Sequence, residues 1–128
     1  MFDSFDLFRR QTAPLMACNG NNCCGHVAPI QPDLYYELWR LTRLFPHYSI
    51  SSGFRCRTHN TAVGGQDDSF HMLGMAVDLI PTLGHTPGDI RSTALRIPLF
   101  NEGGIIYHKD NGSVHLDIRA GGAYEFGW

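Results

Sequence analysis

Val114-His115-Leu116-Asp117-Ile118 is the stretch that decides the fold class. Side chains of an extended chain alternate between two faces, so Val114, Leu116 and Ile118 go to one side and His115 and Asp117 to the other. Met75-Ala76-Val77-Asp78-Leu79 repeats the pattern, with Met75, Val77 and Leu79 on the apolar face and Ala76 and Asp78 opposite. Both read as strands with polar residues where a buried sheet normally refuses them. If the two are near neighbours, Asp78 and His115 point into one cavity.

The surrounding chain supplies the rest of an α+β fold. Pro32 to Phe45 reads as a helix: Pro32 suits the first turn, and Asp33 and Glu37 lie near the positive end of the dipole. Arg40 and Arg43 lie near its negative end, and Leu34, Leu38, Leu41 and Phe45 recur at helical spacing. Pro46 stops it. Tyr48-Ser49-Ile50 reads as a short strand running into Ser51-Ser52-Gly53-Phe54-Arg55, and Thr58 to Val63 as a short helix ended by Gly64-Gly65. Met75 to Ile80 is a second strand, Pro87 to Ile97 a second long helix, Gly104 to Tyr107 a third strand and Ser113 to Arg119 a fourth. Helices and strands do not follow a βαβ rhythm, so the expected architecture is a small, mainly antiparallel sheet with helices packed on one face. The tail, Gly121 to Trp128, has no periodicity to interpret.

With 128 residues, 43% of them hydrophobic, the expectation is a single domain, residues 1–128, with a cysteine-containing N-terminal segment over 1–30 and a tail over 120–128. Charged residues are 17% and the formal net charge is -2, which offers no field to draw a nucleic acid or an anionic membrane. The first twenty residues include Asp3 and Asp6 and no unbroken apolar run, and no stretch is long and apolar enough to span a bilayer. A monomer without a secretory leader, cytoplasmic when made, is the expectation. Cys18, Cys23 and Cys24 cluster while Cys56 stands apart, which leaves three readings: reduced thiols, one or two disulfides, or a second, structural zinc on Cys18, Cys23, Cys24 and His26.

His71 precedes Asp78 in His71-Met72-Leu73-Gly74-Met75-Ala76-Val77-Asp78. A chain that must return so that both its ends touch one ion needs a permissive backbone and little bulk, which Gly74 and Ala76 provide. His71, Asp78 and His115 then make a two-imidazole, one-carboxylate set that leaves a fourth zinc position open for water, the arrangement of a catalytic site. Either piece taken alone also occurs in proteins without a metal. His26, His47, His59, His85 and His108 read as surface or capping residues.

The ordered series Ser52-Gly53-Phe54-Arg55, His59-Asn60, Val63-Gly64-Gly65, Ser69-Phe70-His71 through Asp78, Gly103-Gly104-Ile105 and Val114-His115-Leu116-Asp117 resembles the zinc D-alanyl-D-alanine carboxypeptidase family. That family shares its fold with the hedgehog signalling domain, and the resemblance runs from the Pro32 helix to Arg119. It implies one catalytic Zn2+ held by His71, Asp78 and His115. It also implies a substrate-facing Arg55, a Ser69 that touches substrate or supports the metal site, and a peptidoglycan peptide as substrate, cleaved by a D,D-carboxypeptidase or endopeptidase. A phage-encoded lysis enzyme or wall-remodelling enzyme, acting at the cell wall or periplasm, suits the size.

One departure stands out. Several family members carry an acidic residue three positions before the last histidine, where this chain has Gly112. The proton acceptor is then sought at Asp117 or Asp110, although Asp117 equally suits an orienting partner of His115. A zinc-stabilised binding module without turnover is the alternative from another class, and a disulfide-stapled protein without metal is a third.

Overall fold

The structure is a computed structural model that describes residues 4–18, 30–66 and 69–128. Five strands form one sheet: β1 (Tyr48–Ser52), β2 (Ala76–Pro81), β3 (Gly104–His108), β4 (Ser113–Asp117) and β5 (Tyr124–Phe126), in the order β1-β2-β4-β3-β5. All neighbours are antiparallel except β3 and β5. The α+β reading and the one-sided cover of helices are both borne out.

Register carries the alternation across the sheet. Val77 pairs with Leu116 and Leu79 with Val114, while Ile105 pairs with Leu116 on the other side of β4. These residues form the apolar face. Against it lie Leu34, Leu38 and Leu41 of α2 (Pro32–Leu44), Ile90 and Ala94 of α4 (Pro87–Ala94), and Phe100 of α5 (Pro98–Asn101), all buried in one core. Burial of side chains of this size contributes about 1.5–3 kcal/mol each, which sets the sheet's orientation. The opposite face carries Asp78 paired with His115, Ala76 with Asp117, and His108 with Ser113.

Proline accounts for two differences from the expected boundaries. α2 ends at Leu44 because Phe45, preceding Pro46, is pushed to an extended conformation (φ -146°, ψ 90°). A second proline, Pro98, keeps Ile97 extended and out of the helix expected over Pro87 to Ile97, which ends at Ala94, and it opens the separate α5 beyond that range. Glu37 ties α2 to α5, its buried carboxylate accepting Leu99 N at 2.9 Å in the first turn of α5. The Thr58 to Val63 helix is found as α3 (Arg57–Ala62).

Several elements were not expected, α5 and the 3-10 turns among them. α1 (Phe5–Thr12) starts where Ser4 Oγ accepts Leu7 N, and it buries Phe8 against the core; a 3-10 turn, Ala13–Met16, follows it. β5 arises in the aperiodic tail, where it is held beside β3 by parallel pairing and by Trp128 Nε1 donating to Ile105 O at 3.1 Å. No described helix is long and apolar enough to cross a membrane.

Candidate metal centre

The site lies on the polar face of the sheet. Asp78 and His115 sit opposite one another on β2 and β4, and His71 arrives from the 3-10 turn Phe70–Leu73. That turn is shaped locally: Ser69 Oγ accepts His71 N at its start, and Gly74 closes it in the left-handed region at φ 67°. The chain can then enter β2 directly, bringing Asp78 back to His71.

Three ligand atoms meet there. His71 Nε2 lies 3.1 Å from Asp78 Oδ1, His115 Nδ1 lies 3.2 Å from the same oxygen, and the two nitrogens are 3.3 Å apart. A tetrahedral zinc with bonds of about 2.0–2.1 Å has ligands about 3.3 Å apart, so the triangle fits one face of its coordination shell. All three residues are buried, and among the described residues they are the one group of three whose ligand atoms lie mutually within 4.8 Å.

The outer hydrogen bonds fix which nitrogens are available. His71 Nδ1 is 2.7 Å from Gly53 O, a carbonyl that only accepts, so this nitrogen holds the proton and Nε2 presents its lone pair. His115 Nε2 donates to Asp117 Oδ2 at 2.7 Å, leaving the lone pair on Nδ1. With neutral rings, two imidazole lone pairs and a carboxylate oxygen converge with no proton between them. That donor set calls for a cation.

Electrostatics follow from burial and these partners. Desolvation pushes His71 below its ordinary range and outweighs the help of Asp78, keeping the ring neutral. Desolvation also opposes charge on His115, but the carboxylates of Asp117 and Asp78 on either side raise its pKa nonetheless. Burial alone would raise Asp78, yet hydrogen bonds with His115 and His71 hold it well below the usual carboxylate range.

Asp117 is fully buried and its oxygens are committed. Oδ1 accepts Gly104 N, Arg119 N and Arg119 Nε at 2.9, 3.1 and 2.9 Å, while Oδ2 takes Arg119 Nη2 at 2.6 Å and His115 Nε2. Its seat depends on Gly104, where a Cβ would run into the carboxylate. Of the two roles read for Asp117, this geometry is that of the orienting partner. Asp110 lies exposed on the β3–β4 turn. Gly112 has φ +76° in that turn with open space around it, so it is backbone strain rather than crowding that opposes the acidic residue several family members carry there.

Arg55 approaches from the other side, its Nη2 3.8 Å from Asp78 Oδ2 and its Nη1 3.2 Å from Asn60 Oδ1. Arg55 Nε is buried and has no hydrogen-bond partner among the described residues. A cleft of about 450 Å³ opens beside it, lined by Phe54, Arg55, Ser69, Met72 and Leu73 among others.

A protein-family model described as Peptidase M15 matches residues 10–117. The chain belongs to the peptidase M15 family. The resemblance read from the motifs is thereby borne out, and M15 peptidases are zinc enzymes that act on peptides, which agrees with the donor set. No curated protein matches the chain.

For an M15 peptidase, several neighbours of this centre escaped the sequence reading. Arg119 locks Asp117 and stacks over Phe70 at 4.5 Å, yet its only sequence signal was sharing the alternate face of β4's extension with Asp117. His108, read as a surface residue, lies on the metal-bearing face with its ring 6.1 Å from that of His115. Alternation from Ile106, which pairs with His115, was the available clue. His59, also read as surface or capping, is buried. Cys23, Cys24 and His26 lie outside the described residues, so the reading of that cluster as a second zinc site, one of the three, is without a structural account.

Proposed function

We propose that this M15 peptidase is a zinc hydrolase of peptidoglycan stem or cross-link peptides, acting as a D,D-carboxypeptidase or endopeptidase at the bacterial wall or periplasm. The observation that carries the reading is the convergence of His71 Nε2, His115 Nδ1 and Asp78 Oδ1 beside the largely buried guanidinium of Arg55. Zinc, when bound there, acidifies a coordinated water and polarises the scissile carbonyl.

The protein's own groups do the rest. Arg55 binds the substrate's carbonyl oxygen or terminal carboxylate, since its guanidinium lines the cleft beside the ligand triangle and suits a planar acceptor. Asn60 steadies it through Nη1. Ser69 acts by shaping the turn that presents His71, and it also reaches the cleft. Asp117 positions His115 rather than receiving a proton, because five donors already occupy it. His108 takes the proton from water and returns it to the leaving amine, an imidazole role that needs no carboxylate at position 112. A lysis or wall-remodelling role, phage-encoded or bacterial, suits this chemistry.

Gly112 supports one competing reading, a zinc-stabilised binding module without turnover. Metal analysis of the purified protein, followed by mass spectrometry of muropeptides incubated with it, separates the two. The peptidase reading expects zinc, and it expects products shortened by D-alanine or cleaved at the cross-link, lost in His115→Ala. Intact muropeptides with a fully zinc-loaded, folded protein would establish the binding module.

A further inference from the structure

The metal-bearing face of the sheet continues past the ligands. Register sets Ile106 of β3 beside His115 and Phe126 of β5 beside Ile106, so Asp78, His115, Ile106 and Phe126 form one row across four strands. Tyr124 stands beside Gly104 in the adjoining row, which also holds Asp117. The residue between the two aromatics fixes the sidedness of β5. Glu125 turns to the helical side, where its carboxylate accepts Arg91 Nε and Nη2 of α4 at 2.7 and 3.2 Å. Alternation therefore sends Tyr124 and Phe126 to the metal side.

These rows make a trough that leads away from the metal centre. The Arg119 guanidinium lies between the rings of Phe70 and Tyr124, 4.5 and 4.8 Å from their centroids, and forms one wall. His108 stands in the row on the other side of Ile106, which is the partly buried floor. Phe126 ends the trough at 65% exposure, and Tyr124 is 44% exposed. Exposed apolar surface gathered in one place marks a contact site, whereas single exposed residues do not. Two strand spacings of about 4.8 Å put Phe126 about 10 Å from His115, the span of about three residues of extended chain at about 3.3 Å each.

We propose that Ile106, Tyr124 and Phe126 form a peptide subsite that holds the substrate about two to four residues to the amino-terminal side of the scissile bond, so that the protein selects long stem peptides over a terminal dipeptide. The inference rests on the peptidase reading above. The position of Arg55 sets the direction. It lies beside Asp78, on the β2 side of the ligand triangle, and takes the carbonyl or carboxylate toward the substrate's carboxyl end. The amino-terminal part then runs the opposite way, over β3 and β5. An uncharged stretch of peptide suits this trough, because its floor is apolar and Arg119 on its wall is already paired with Asp117. The rings supply apolar contact area, with a polar tip at the Tyr124 hydroxyl. Binding so far from the reacting carbonyl favours long substrates in the transition state as well as in the ground state.

The test is calorimetric binding to the zinc-loaded full chain of phosphinate analogues in which the D-alanyl-D-alanine amide is replaced. One analogue has dipeptide length, one is extended to the pentapeptide, and one carries the disaccharide on that pentapeptide. The pentapeptide analogue is expected to bind about tenfold or more tighter than the dipeptide analogue, the worth of one aromatic contact. Phe126→Ala should bring that ratio close to unity, and Phe126→Trp, which keeps a ring, should preserve it. The exposure of Phe126 lets both variants fold, which circular dichroism checks. Equal affinity of the wild type for the dipeptide and pentapeptide analogues would overturn the subsite while leaving the peptidase reading intact, as would an unchanged ratio in Phe126→Ala. A gain that appears only with the disaccharide would also overturn it and assign the rings to a sugar. If no analogue binds the zinc-loaded protein, the substrate reading itself fails and the subsite falls with it.

Discussion

Replacing Asp117 by Asn tests the centre at its most committed residue. The amide keeps the shape but turns one acceptor into a donor. If the amide oxygen stays where Oδ1 accepts Gly104 N, Arg119 N and Arg119 Nε, the new NH2 faces His115 Nε2 and Arg119 Nη2. His115 then accepts at Nε2, its proton moves to Nδ1, and the lone pair that faced His71 and Asp78 is lost. Loss of such an outer partner lowers metal affinity by about 10–100-fold, which is about 1.4–2.8 kcal/mol. The donor now set against the Arg119 guanidinium adds about 1–3 kcal/mol of destabilisation to the folded protein. Zinc affinity should be measured by chelator competition near neutral pH, with circular dichroism to establish that the variant is folded. A folded Asp117→Asn protein that binds zinc within about twofold of wild type, against that expected range, yet has lost turnover, would refute the positioning role and make Asp117 the proton acceptor.

Arg55→Ala should lower kcat/KM by about 10²–10³-fold, the loss typical of one oxyanion donor, with zinc content unchanged by metal analysis. His108→Gln should lower kcat by about 10²-fold or more with zinc retained; unchanged turnover returns the proton-accepting role to Asp110. Zinc affinity should fall on acidification. A protonated imidazole binds no metal, and because Asp117 and Asp78 raise His115 against the opposing effect of burial, proton competition begins at a higher pH than at an ordinary histidine. Affinity is therefore full above that raised pKa and is lost as pH drops through it, which chelator competition over mildly acid to neutral buffers reads directly; a flat profile would count against His115 as a ligand.

Legibility from sequence tracked how local the deciding physics was. β2 and β4 were readable because alternation is a property of adjacent residues, and one apolar face fixes the register once the core exists. The same logic put Asp78 and His115 on one face, and the register sets them directly opposite. α2 was readable from its apolar spacing, with an end misjudged by one residue because Pro46 acts on Phe45 before itself. β5 was illegible for the opposite reason. Its three residues, Tyr124-Glu125-Phe126, are too few to establish a period and are all exposed, and the pairing depends on a β3 edge that exists only in the folded sheet.

The proton acceptor shows how a local requirement and a functional one compete for the same position. The β3–β4 connection closes with Gly112 N donating to His108 O at 2.8 Å and with Gly112 at positive φ. A carboxylate-bearing residue there would strain the turn, and straightening the turn would shift the register that sets Ile106 against His115. The hairpin that disfavours an acid at 112 simultaneously brings His108, at the opposite end of the turn, onto the face of the metal ligands. A titratable side chain is thus provided by the strand pairing itself. His108→Gln is expected to cost activity while Gly112→Glu, which restores an acid at the price of strain at φ +76°, is expected to lower stability without rescuing turnover.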